Sequence, residues 1–539
     1  MNYNNIIYLR KELDKIKILF KKGEFKLVIQ KSKALLKKNP NQTIIYNYIG
    51  LSYIQLNEIK NALEIFLLAN QRLPSEPSIL CNIGIAYKNL DDILNARNYF
   101  NKAININPRH LPSYINLGHL ENNLNHSKKA ADHYLKAYNL NNNSEEVLTY
   151  HVLSLSAQGK FVEAKKIILE LNKKFPENVK SYQLYSKIHK YTLEDTHQKL
   201  MLSKISNPSL NHEDLSNLHF ALAKSFYDQK NVEKFVHHTL KANDIKFKTF
   251  KDYDLKSEEI KFGKIKKYYK NFQIPNSNSR GENLIFIVGL PRSGTTLLHQ
   301  IISSHSKTFG AEESHILSDF FNKKFKNENS LINFFSKELS DKKLRLNLSN
   351  EILSKYKIYD QDKIIVDKMP FNFRWIGFIK ILFPQAKIIH SNRNPADSAF
   401  SIFRNMFDSP GLGWTYNQDY LIKYVNLYND LMSFWKKELG DFIYESHYEK
   451  LVTEQVNETK NILKFCNLEF EEKCINYTDS NIPSRTVSVL QVRDKIYKSS
   501  VNLSEKYYKH FPFLKQIKKG PHKRGPLNRI YDYLKRKRY

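Results

Sequence analysis

Residues 284–305 read LIFIVGLPRSGTTLLHQIISSH, and their pattern indicates the fold of the second half of the chain. Residues 284–288 are continuously apolar and include β-branched side chains, a pattern typical of a buried parallel strand. Residues 289–294 predict a turn, and the apolar side chains of residues 295–304 have helical spacing. A strand, a tight loop and a helix N-terminus direct backbone N–H groups and the helix dipole at one point. The stretch therefore predicts an anion-binding loop.

This loop differs from that of an ATPase. GLPRSGTT fits the GxxxxG spacing, but Thr295 stands where the P-loop lysine should be, and Arg292 supplies a cation from within the loop. We therefore predict phosphate contacts from Arg292, Ser293, Gly294, Thr295 and Thr296. Taken alone, the motif leaves open a degenerate nucleoside-triphosphatase loop.

A second strand, loop and helix are predicted from KIIHSNRNPADSAFSIF, residues 387–403. The two loops together resemble those of sulfotransferases that use 3′-phosphoadenosine-5′-phosphosulfate (PAPS), with PRSGTT as the 5′-phosphosulfate loop. The resemblance implies that Arg393 and Ser401 bind the 3′-phosphate of the donor. A guanidinium offers two parallel donors to phosphate, and a hydroxyl completes the shell. Alone, Arg393 would be read as a surface charge at a strand end.

Two further stretches resemble the tyrosylprotein sulfotransferase branch of this family: GAEESHI, residues 310–316, and VDKMPFNF, residues 366–373. The resemblance implies that Glu313 is the catalytic base and that Lys368 contacts the transferring group. Ala311 replaces a glycine of the family pattern, and His315 stands where a basic residue normally follows. The alternative for the glutamates is a solvated carboxylate pair at a helix start.

Three more site residues come only from the resemblance. The stretch SVLQVRDKIY, residues 488–497, is similar to a late loop that folds over the nucleotide, which implies that Ser488 contacts the transition state. Tyr448 matches a tyrosine near the adenine, and Lys506 matches a downstream lysine with a one-residue gap. For Tyr448 and Lys506 a structural role is an equally good interpretation.

The first half of the chain repeats with a period of 34 residues. The positions in register are Gly50, Gly84 and Gly118; Pro40, Pro74 and Pro108; Ala62, Ala96 and Ala130; Phe66, Phe100 and Tyr134; and Ala69, Ala103 and Ala137. The pattern resembles the tetratricopeptide repeat, a pair of antiparallel helices, and the alternative is a helical bundle with accidental spacing. We predict an α-solenoid of helix pairs followed by an α/β, P-loop-like, three-layer domain with a mostly parallel sheet.

Composition limits the function classes. The 539 residues include 85 Lys and Arg against 54 Asp and Glu, a net charge of +31, which favours anionic partners, although solvated surface charge explains it equally well. Three cysteines cannot form a disulfide framework or a four-cysteine zinc site. No secretory leader or long apolar run is visible, so we expect a cytoplasmic chain without a membrane span, and we expect neither a metal nor a nucleic-acid partner.

These features predict a repeat solenoid over residues 9–247, a linker over 248–283, a PAPS-dependent sulfotransferase domain over 284–514 and a basic tail over 515–539. The predicted reaction moves a sulfuryl group from PAPS to an acceptor hydroxyl, most simply a protein tyrosine bound in the solenoid groove. A carbohydrate or small-molecule hydroxyl is the close alternative. A non-catalytic scaffold with a nucleotide-binding module and a small-molecule kinase are alternatives of other classes. The sequence leaves open whether the protein forms a homodimer.

Overall fold

The computed structural model describes residues 3–251, 253–272, 280–407, 409–480 and 482–484, then residues 490, 493, 496 and 498–517. The chain folds into two compact units, residues 1–155 and residues 156–539.

The first unit consists of antiparallel helix pairs. Its helices are α1 (Tyr3–Lys21), α2 (Phe25–Lys38), α3 (Thr43–Gln55), α4 (Ile59–Arg72), α5 (Pro77–Asn89), α6 (Ile93–Ile106), α7 (Leu111–Asn123) and α8 (Ser127–Leu140), and α9 (Glu145–Ala157) ends just past the unit boundary. Glycine is required where the helices of a pair cross. A Cβ added to Gly84 would lie 2.6 Å from the ring of Phe100, and one added to Gly118 would lie 2.5 Å from the ring of Tyr134. The repeat predicted from the 34-residue period is confirmed.

The helices that follow belong to the second unit. They are α10 (Phe161–Lys174), α11 (Val179–Ile188), α12 (Thr196–Lys204), α13 (His212–Asp228), α14 (Val232–Lys248) and α15 (Lys256–Lys270). Leu218 of α13 and Phe235 of α14 lie in the same hydrophobic core as Phe286 of the sheet. The compact boundary is therefore at residues 155/156, whereas the repeat pattern placed it at 247/248, because apolar contacts join these helices to the sheet.

The predicted linker, 248–283, also differs from the structure. It contains α15, which buries Phe262, Ile265 and Tyr269. The helix reads KSEEIKFGKIKKYYK. Because most of its residues are charged or polar, the sequence did not reveal the narrow apolar stripe that packs into the core. Residues 273–279 of this range, and residues 518–539 of the predicted tail, lie outside the described residues.

A five-stranded, fully parallel sheet organises the rest of the second unit. Its strands are β1 (Leu284–Gly289), β2 (Thr308–Glu312), β3 (Ile364–Asp367), β4 (Lys387–Asn392) and β5 (Ile443–His447), in the order β2-β3-β1-β4-β5. The chain moves from β1 to one side for β2 and β3 and to the other side for β4 and β5. Sheets of this kind bind ligands at the carboxyl ends of the strands beside that reversal, here next to β1.

Helices cover both faces of the sheet. The α-helices are α16 (Thr295–Ser303), α17 (Ile316–Lys324), α18 (Glu328–Asn333), α19 (Lys342–Tyr356), α20 (Ile376–Leu382), α21 (Pro395–Phe403), α22 (Gln418–Leu439), α23 (Tyr448–Thr453) and α24 (Gln455–Phe465). A π-helix spans Phe334–Leu339, and short 3₁₀ helices span Pro370–Trp375, Pro410–Tyr416, Gly440–Phe442, Glu472–Cys474, Tyr477–Ser480, Leu503–Tyr507 and Pro512–Gln516.

The side chains of β1 alternate between two apolar cores, one on each face of the sheet. Phe286 belongs to one apolar core, while Ile285 and Ile287 belong to another, together with Leu298 and Ile301 of α16. Successive side chains of a strand point to opposite faces, so two cores imply helices on both sides of the sheet. The predicted solenoid and three-layer α/β domain are confirmed.

Candidate functional site

The five parallel strands end at one edge of the sheet, and a predicted site residue follows each of them. Glu313 comes directly after β2, Lys368 after β3, Arg393 after β4 and Tyr448 after β5, while the loop 290–294 follows β1. Because β1 is central, this loop lies between the first two residues on one side and the last two on the other. Stretches far apart in the sequence thus meet along a single crevice.

The loop after β1 has a backbone that favours glycine at its key position. Gly294 immediately precedes α16 with φ of 104°, and a Cβ added there would lie 2.5 Å from Cδ2 of Tyr448. Arg292 also has a positive φ, 67°, which is uncommon for a residue with a side chain. Thr295 and Thr296 begin α16 and are buried. The sequence-predicted loop and helix N-terminus are therefore present, with their N–H groups at the crevice.

Arg292 connects the two halves of the predicted donor site. Its Nε donates a 3.0 Å hydrogen bond to Oγ of Ser401, and its carbonyl oxygen accepts a 2.9 Å hydrogen bond from Nη1 of Arg393. The predicted pair Arg393 and Ser401 is therefore assembled through Arg292.

Arg393 is held by Ser500 and Tyr448. Its Nη2 donates to the carbonyl oxygen of Ser500 at 2.6 Å, and its guanidinium lies over the ring of Tyr448, 4.5 Å from the centroid. The hydroxyl of Tyr448 shares a 2.7 Å hydrogen bond with Oγ of Ser500. These contacts fix the guanidinium plane beside the loop. Tyr448, predicted to lie near the adenine, here packs on Arg393 and Gly294.

Buried polar atoms in this half of the crevice fit a phosphorylated ligand. Nε of Arg393 and Oγ of Ser293 are buried, and neither has a hydrogen-bond partner among the described residues. A buried donor without a partner costs about 1–3 kcal/mol, and phosphate oxygens would satisfy both. The residues present therefore fit a phosphorylated ligand.

Glu313 and Lys368 form an ion pair on the other side of the loop. Nζ of Lys368 lies 2.6 Å from Oε1 of Glu313; the lysine side chain is 0 % exposed and the glutamate side chain 47 %. The backbone N–H of Lys368 also donates to the carbonyl oxygen of Glu312 at 2.8 Å, which ties the ends of β2 and β3 together. The site thus offers one half-exposed carboxylate and one buried ammonium within hydrogen-bond distance of each other.

A buried carboxyl next to Lys368 was missed by the sequence reasoning. Asp367 ends β3, and Tyr356 of α19 donates a 2.5 Å hydrogen bond to its Oδ2. Burial raises the pKa of Asp367 to about 7, and hydrogen bonds oppose that rise. The sequence carried a signal, the Asp-Lys pair in VDKMPF, but nothing local identified Tyr356 as its partner.

The approach to Glu313 depends on a buried histidine of α16. The backbone N–H of Glu312 donates to Nε2 of His299 at 3.3 Å, and a Cβ added to Gly310 would lie 2.6 Å from the same nitrogen. Glu312 has φ of 52°, which turns the chain sharply after β2. His299 therefore helps to position the turn that presents Glu313, a role that its sequence position did not indicate.

A second buried aspartate fixes the segment that contacts Arg393. Asp397 in the first turn of α21 accepts 2.8 Å hydrogen bonds from the backbone N–H groups of Asn502 and Ser504. This carboxylate is 1 % exposed. It anchors the chain just after Ser500, whose carbonyl oxygen holds Arg393.

One predicted residue lies outside the described part of the chain, and another is not brought into this arrangement. Ser488 lies outside the described residues. Lys506 is exposed on the 3₁₀ helix Leu503–Tyr507, and no hydrogen bond or ion pair within the described part of the chain joins it to the loop. Across the described ranges, no cluster of three or more His, Cys, Asp or Glu side chains could hold a metal ion, and no helix has the length and apolarity to cross a membrane.

Comparison with known proteins agrees with this geometry. Residues 284–472 match the family model described as "Sulfotransferase family", and residues 77–110 and 111–144 match the tetratricopeptide repeat. The second unit thus contains a region similar to the sulfotransferase family, and the first unit contains tetratricopeptide repeats. The match spans all five strands of the sheet and the residues that follow each of them.

Curated relatives are distant. An uncharacterized protein of Aquifex aeolicus (strain VF5) is 27% identical over 390 residues, which cover 69% of this chain and 50% of the relative. Protein-tyrosine sulfotransferase 1 of Danio rerio is 24% identical over 223 residues, which cover 39% of this chain and 60% of the relative. The chain thus spans about half the length of the Aquifex protein.

Among solved structures, the sulfotransferase domain of the Synechococcus PCC 7002 olefin synthase is similar to this chain. It is 20% identical with a TM-score of 0.31, and the match covers 46% of this chain and 97% of that domain.

Proposed function

We propose that the second unit transfers a sulfuryl group from PAPS to an acceptor hydroxyl, with Glu313 as the base. The observation that carries the proposal is the arrangement along the strand ends. The ion pair Glu313–Lys368 lies on one side of the loop after β1, and the stacked pair Arg393–Tyr448 lies on the other.

Donor binding would use the Arg393 side of the crevice. Arg393 is already oriented by two carbonyl oxygens and by the ring of Tyr448, so it loses little freedom when it binds a 3′-phosphate. Ser401 would complete that shell, as Arg292 already donates to it. The loop 292–296 and the N-terminus of α16 would bind the 5′-phosphosulfate through backbone N–H groups.

PAPS, when bound, supplies an electrophilic sulfur attached to a good leaving group. Glu313 would accept the proton of the acceptor hydroxyl as the acceptor oxygen bonds to sulfur and the bond from sulfur to the phosphate oxygen breaks. Lys368 and Arg292 would stabilise the negative charge that develops on the sulfuryl and leaving oxygens. One such donor, fixed in place, typically lowers the activation free energy by about 3 kcal/mol. Ser488 would add a hydroxyl to this set, and Lys506 a charge toward the nucleotide.

For the acceptor we propose a phenolic hydroxyl, as in a protein tyrosine. The stretches GAEESHI and VDKMPFNF support this choice, as does the similarity to a fish protein named protein-tyrosine sulfotransferase 1. The repeats of the first unit would bind the polypeptide that carries the tyrosine, since repeat solenoids offer extended concave surfaces. The Asp-Lys-x-Pro and Glu-Glu elements would serve a carbohydrate hydroxyl equally well, so the acceptor class has to be assayed.

The experiment is a transfer assay with radiolabelled PAPS across tyrosine peptides, glycans and small phenols. The full chain should label tyrosine peptides, and Glu313→Gln should lose at least a hundredfold in kcat, whereas Glu351→Gln, on the exposed face of α19, should not. Labelling of glycans alone would replace the phenolic acceptor. No labelling of any pool, with no binding of 3′-phosphoadenosine 5′-phosphate, would leave a non-catalytic scaffold.

A further inference from the structure

The last residue of α19, Tyr356, is buried beside the strand end that precedes Lys368. Its hydroxyl donates a 2.5 Å hydrogen bond to Oδ2 of Asp367, which ends β3 and directly precedes Lys368 in the chain. In the sheet, Asp367 pairs with Phe286 of β1, whose ring meets that of Tyr356 edge to face with centroids 6.1 Å apart. Tyr356 thus reaches the carboxyl edge of the sheet from the helices on the Phe286 face.

The hydroxyl of Tyr356 interacts with the neighbours of both members of the Glu313–Lys368 ion pair. Burial raises the pKa of Tyr356 well above its usual value, and the carboxyl of Asp367 raises it further. A side-chain hydrogen bond from Ser314, the residue after Glu313, opposes this rise in pKa. The phenol therefore keeps its proton at neutral pH and directs it at Asp367.

One backbone carbonyl joins the same two strand ends. The carbonyl oxygen of Glu312 accepts hydrogen bonds from the N–H of Lys368 at 2.8 Å and from the N–H of Ser314 at 3.1 Å. Glu312 stands opposite Asp367, just after a shift of register that starts at Gly310 and interrupts the pairing of β2 with β3. An interrupted ladder leaves a strand less constrained by its backbone hydrogen bonds. Side-chain contacts at Asp367 therefore have a larger share in fixing these strand ends.

The contacts of Asp367 are buried from solvent. Nδ2 of Asn372, from the 3₁₀ helix Pro370–Trp375, lies 3.5 Å from the same Oδ2 atom that accepts the Tyr356 hydroxyl. Asp367, Tyr356 and Asn372 are each at most 1 % exposed. Burial raises the pKa of Asp367 to about 7, so below this pH the group is a neutral acid. In a buried network the loss of one member leaves its partner unsatisfied, which makes the complete arrangement rigid.

We propose that Tyr356 and Asp367 form a buried clamp that positions Lys368 against Glu313 for sulfuryl transfer. The inference rests on the proposed transfer and adds two positioning residues to it, which act through Lys368 and do not touch the substrate. Catalytic groups are fully effective only when they are held within about 0.5 Å of the productive geometry. A misplacement of about 1 Å can cost about a hundredfold in rate. The clamp fixes the strand end from which the Lys368 ammonium extends.

The first test compares kcat and KM of Tyr356→Phe with those of the unmodified chain at pH 6, using radiolabelled PAPS and the acceptor that the unmodified chain labels most strongly. Removal of the hydroxyl should lower kcat about 10- to 100-fold. KM for PAPS should stay within about twofold, because Arg393 follows β4 on the other side of β1. The matched control is Tyr444→Phe on β5, which removes a 3.0 Å hydrogen bond to Glu458 and should keep kcat within about twofold.

Variants of Asp367 separate the hydrogen bond from the charge. Asp367→Asn keeps an acceptor oxygen and is uncharged like the neutral acid, so kcat should stay within about threefold. Asp367→Leu keeps the size without the acceptor and should lose as much as Tyr356→Phe, and the double variant should lose no more than either single one. Titration of 3′-phosphoadenosine 5′-phosphate shows that each variant is folded.

Three results would overturn the clamp. The first is a kcat of Tyr356→Phe within about twofold of the unmodified chain. The second is a rise in KM for PAPS that matches the fall in kcat, which would indicate a general distortion of the site. The third is a loss in Asp367→Asn equal to that in Asp367→Leu, or losses that multiply in the double variant of Tyr356 and Asp367.

Hydrogen exchange tests the clamp without the reaction. The amide of Lys368 should exchange about tenfold faster in Tyr356→Phe, whereas the amide of Glu445 on β5 should not change. Faster exchange at Lys368 in a chain that transfers no sulfuryl group would contradict the proposed function alone. Transfer in which neither kcat nor this exchange responds to Tyr356→Phe would contradict the clamp alone.

Discussion

The ion pair between Glu313 and Lys368 makes separable predictions for stability and for catalysis. Lys368 is 0 % exposed, so Glu313→Gln removes the carboxylate that compensates a buried ammonium. Breaking a fully buried pair costs about 3–5 kcal/mol, whereas an exposed pair is worth less than about 1 kcal/mol. Because the glutamate is 47 % exposed, we expect a loss of about 1–3 kcal/mol in the free energy of unfolding.

Lys368→Met should behave differently. It removes the buried charge together with the need to compensate it, so the double variant Glu313→Gln/Lys368→Met should be more stable than Glu313→Gln alone. Catalysis follows another pattern: loss of the base should lower kcat by about 10²–10⁴-fold, and loss of the fixed cation by about 10²–10³-fold. Urea unfolding and single-turnover transfer from labelled PAPS measure the two quantities on the same samples.

Two results would refute this reasoning. If Glu313→Gln retains kcat within threefold of the unmodified chain while Glu351→Gln does the same, Glu313 is not the base. If Lys368→Met lowers the free energy of unfolding by the same amount in the Glu313→Gln variant as in the unmodified chain, the two side chains are not energetically coupled. The 2.6 Å contact would then contribute nothing to stability.

Three further predictions concern the surroundings of the pair. Gly294→Ala forces a side chain into a site with φ of 104° beside Tyr448, so calorimetry should show loss of 3′-phosphoadenosine 5′-phosphate binding, while Gly411→Ala, with open space around it, binds normally. Asp367, whose pKa is raised to about 7, binds its proton more tightly in the folded state; the free energy of unfolding should therefore fall as the pH rises from about 4 to about 7, and Asp367→Asn should flatten that slope in urea titrations. Asp397→Asn should weaken the two charge-assisted bonds to the chain after Ser500 and accelerate hydrogen exchange of those amides, with about a tenfold weaker Kd for the same nucleotide; unchanged exchange would show that the carboxylate does not anchor the segment.

The features that the sequence predicted are those encoded locally. The run 284–288, the turn at Gly294 and the helix after it could be read because strand burial, left-handed φ and helical spacing each leave a short-range pattern. The repeat could be read because the glycine that admits Phe100 or Tyr134 recurs at a fixed interval. The resemblance to a known family added the residues at the other strand ends.

Long-range packing was not predictable in the same way. The place of Phe262 in the core depends on contacts with residues more than a hundred positions later, such as Phe373 and Tyr424. No sequence pattern near Asp367 indicates Tyr356 as its hydrogen-bond partner. In the same way, none near Asp397 indicates the backbone amides of residues 502 and 504. Partners of this kind are set by topology, so only the assembled structure reveals them.

The common core of Leu218, Phe235 and Phe286 has a practical and an evolutionary consequence. A recombinant fragment that starts at residue 284 would lack α13 and α14 and would expose the apolar surface that they cover, so it should aggregate. A fragment that starts near residue 156 retains both helices and therefore this core. Upstream repeats could then be gained or lost across lineages without loss of the core around the sheet, whereas α13 and α14 would have to be inherited with the sheet.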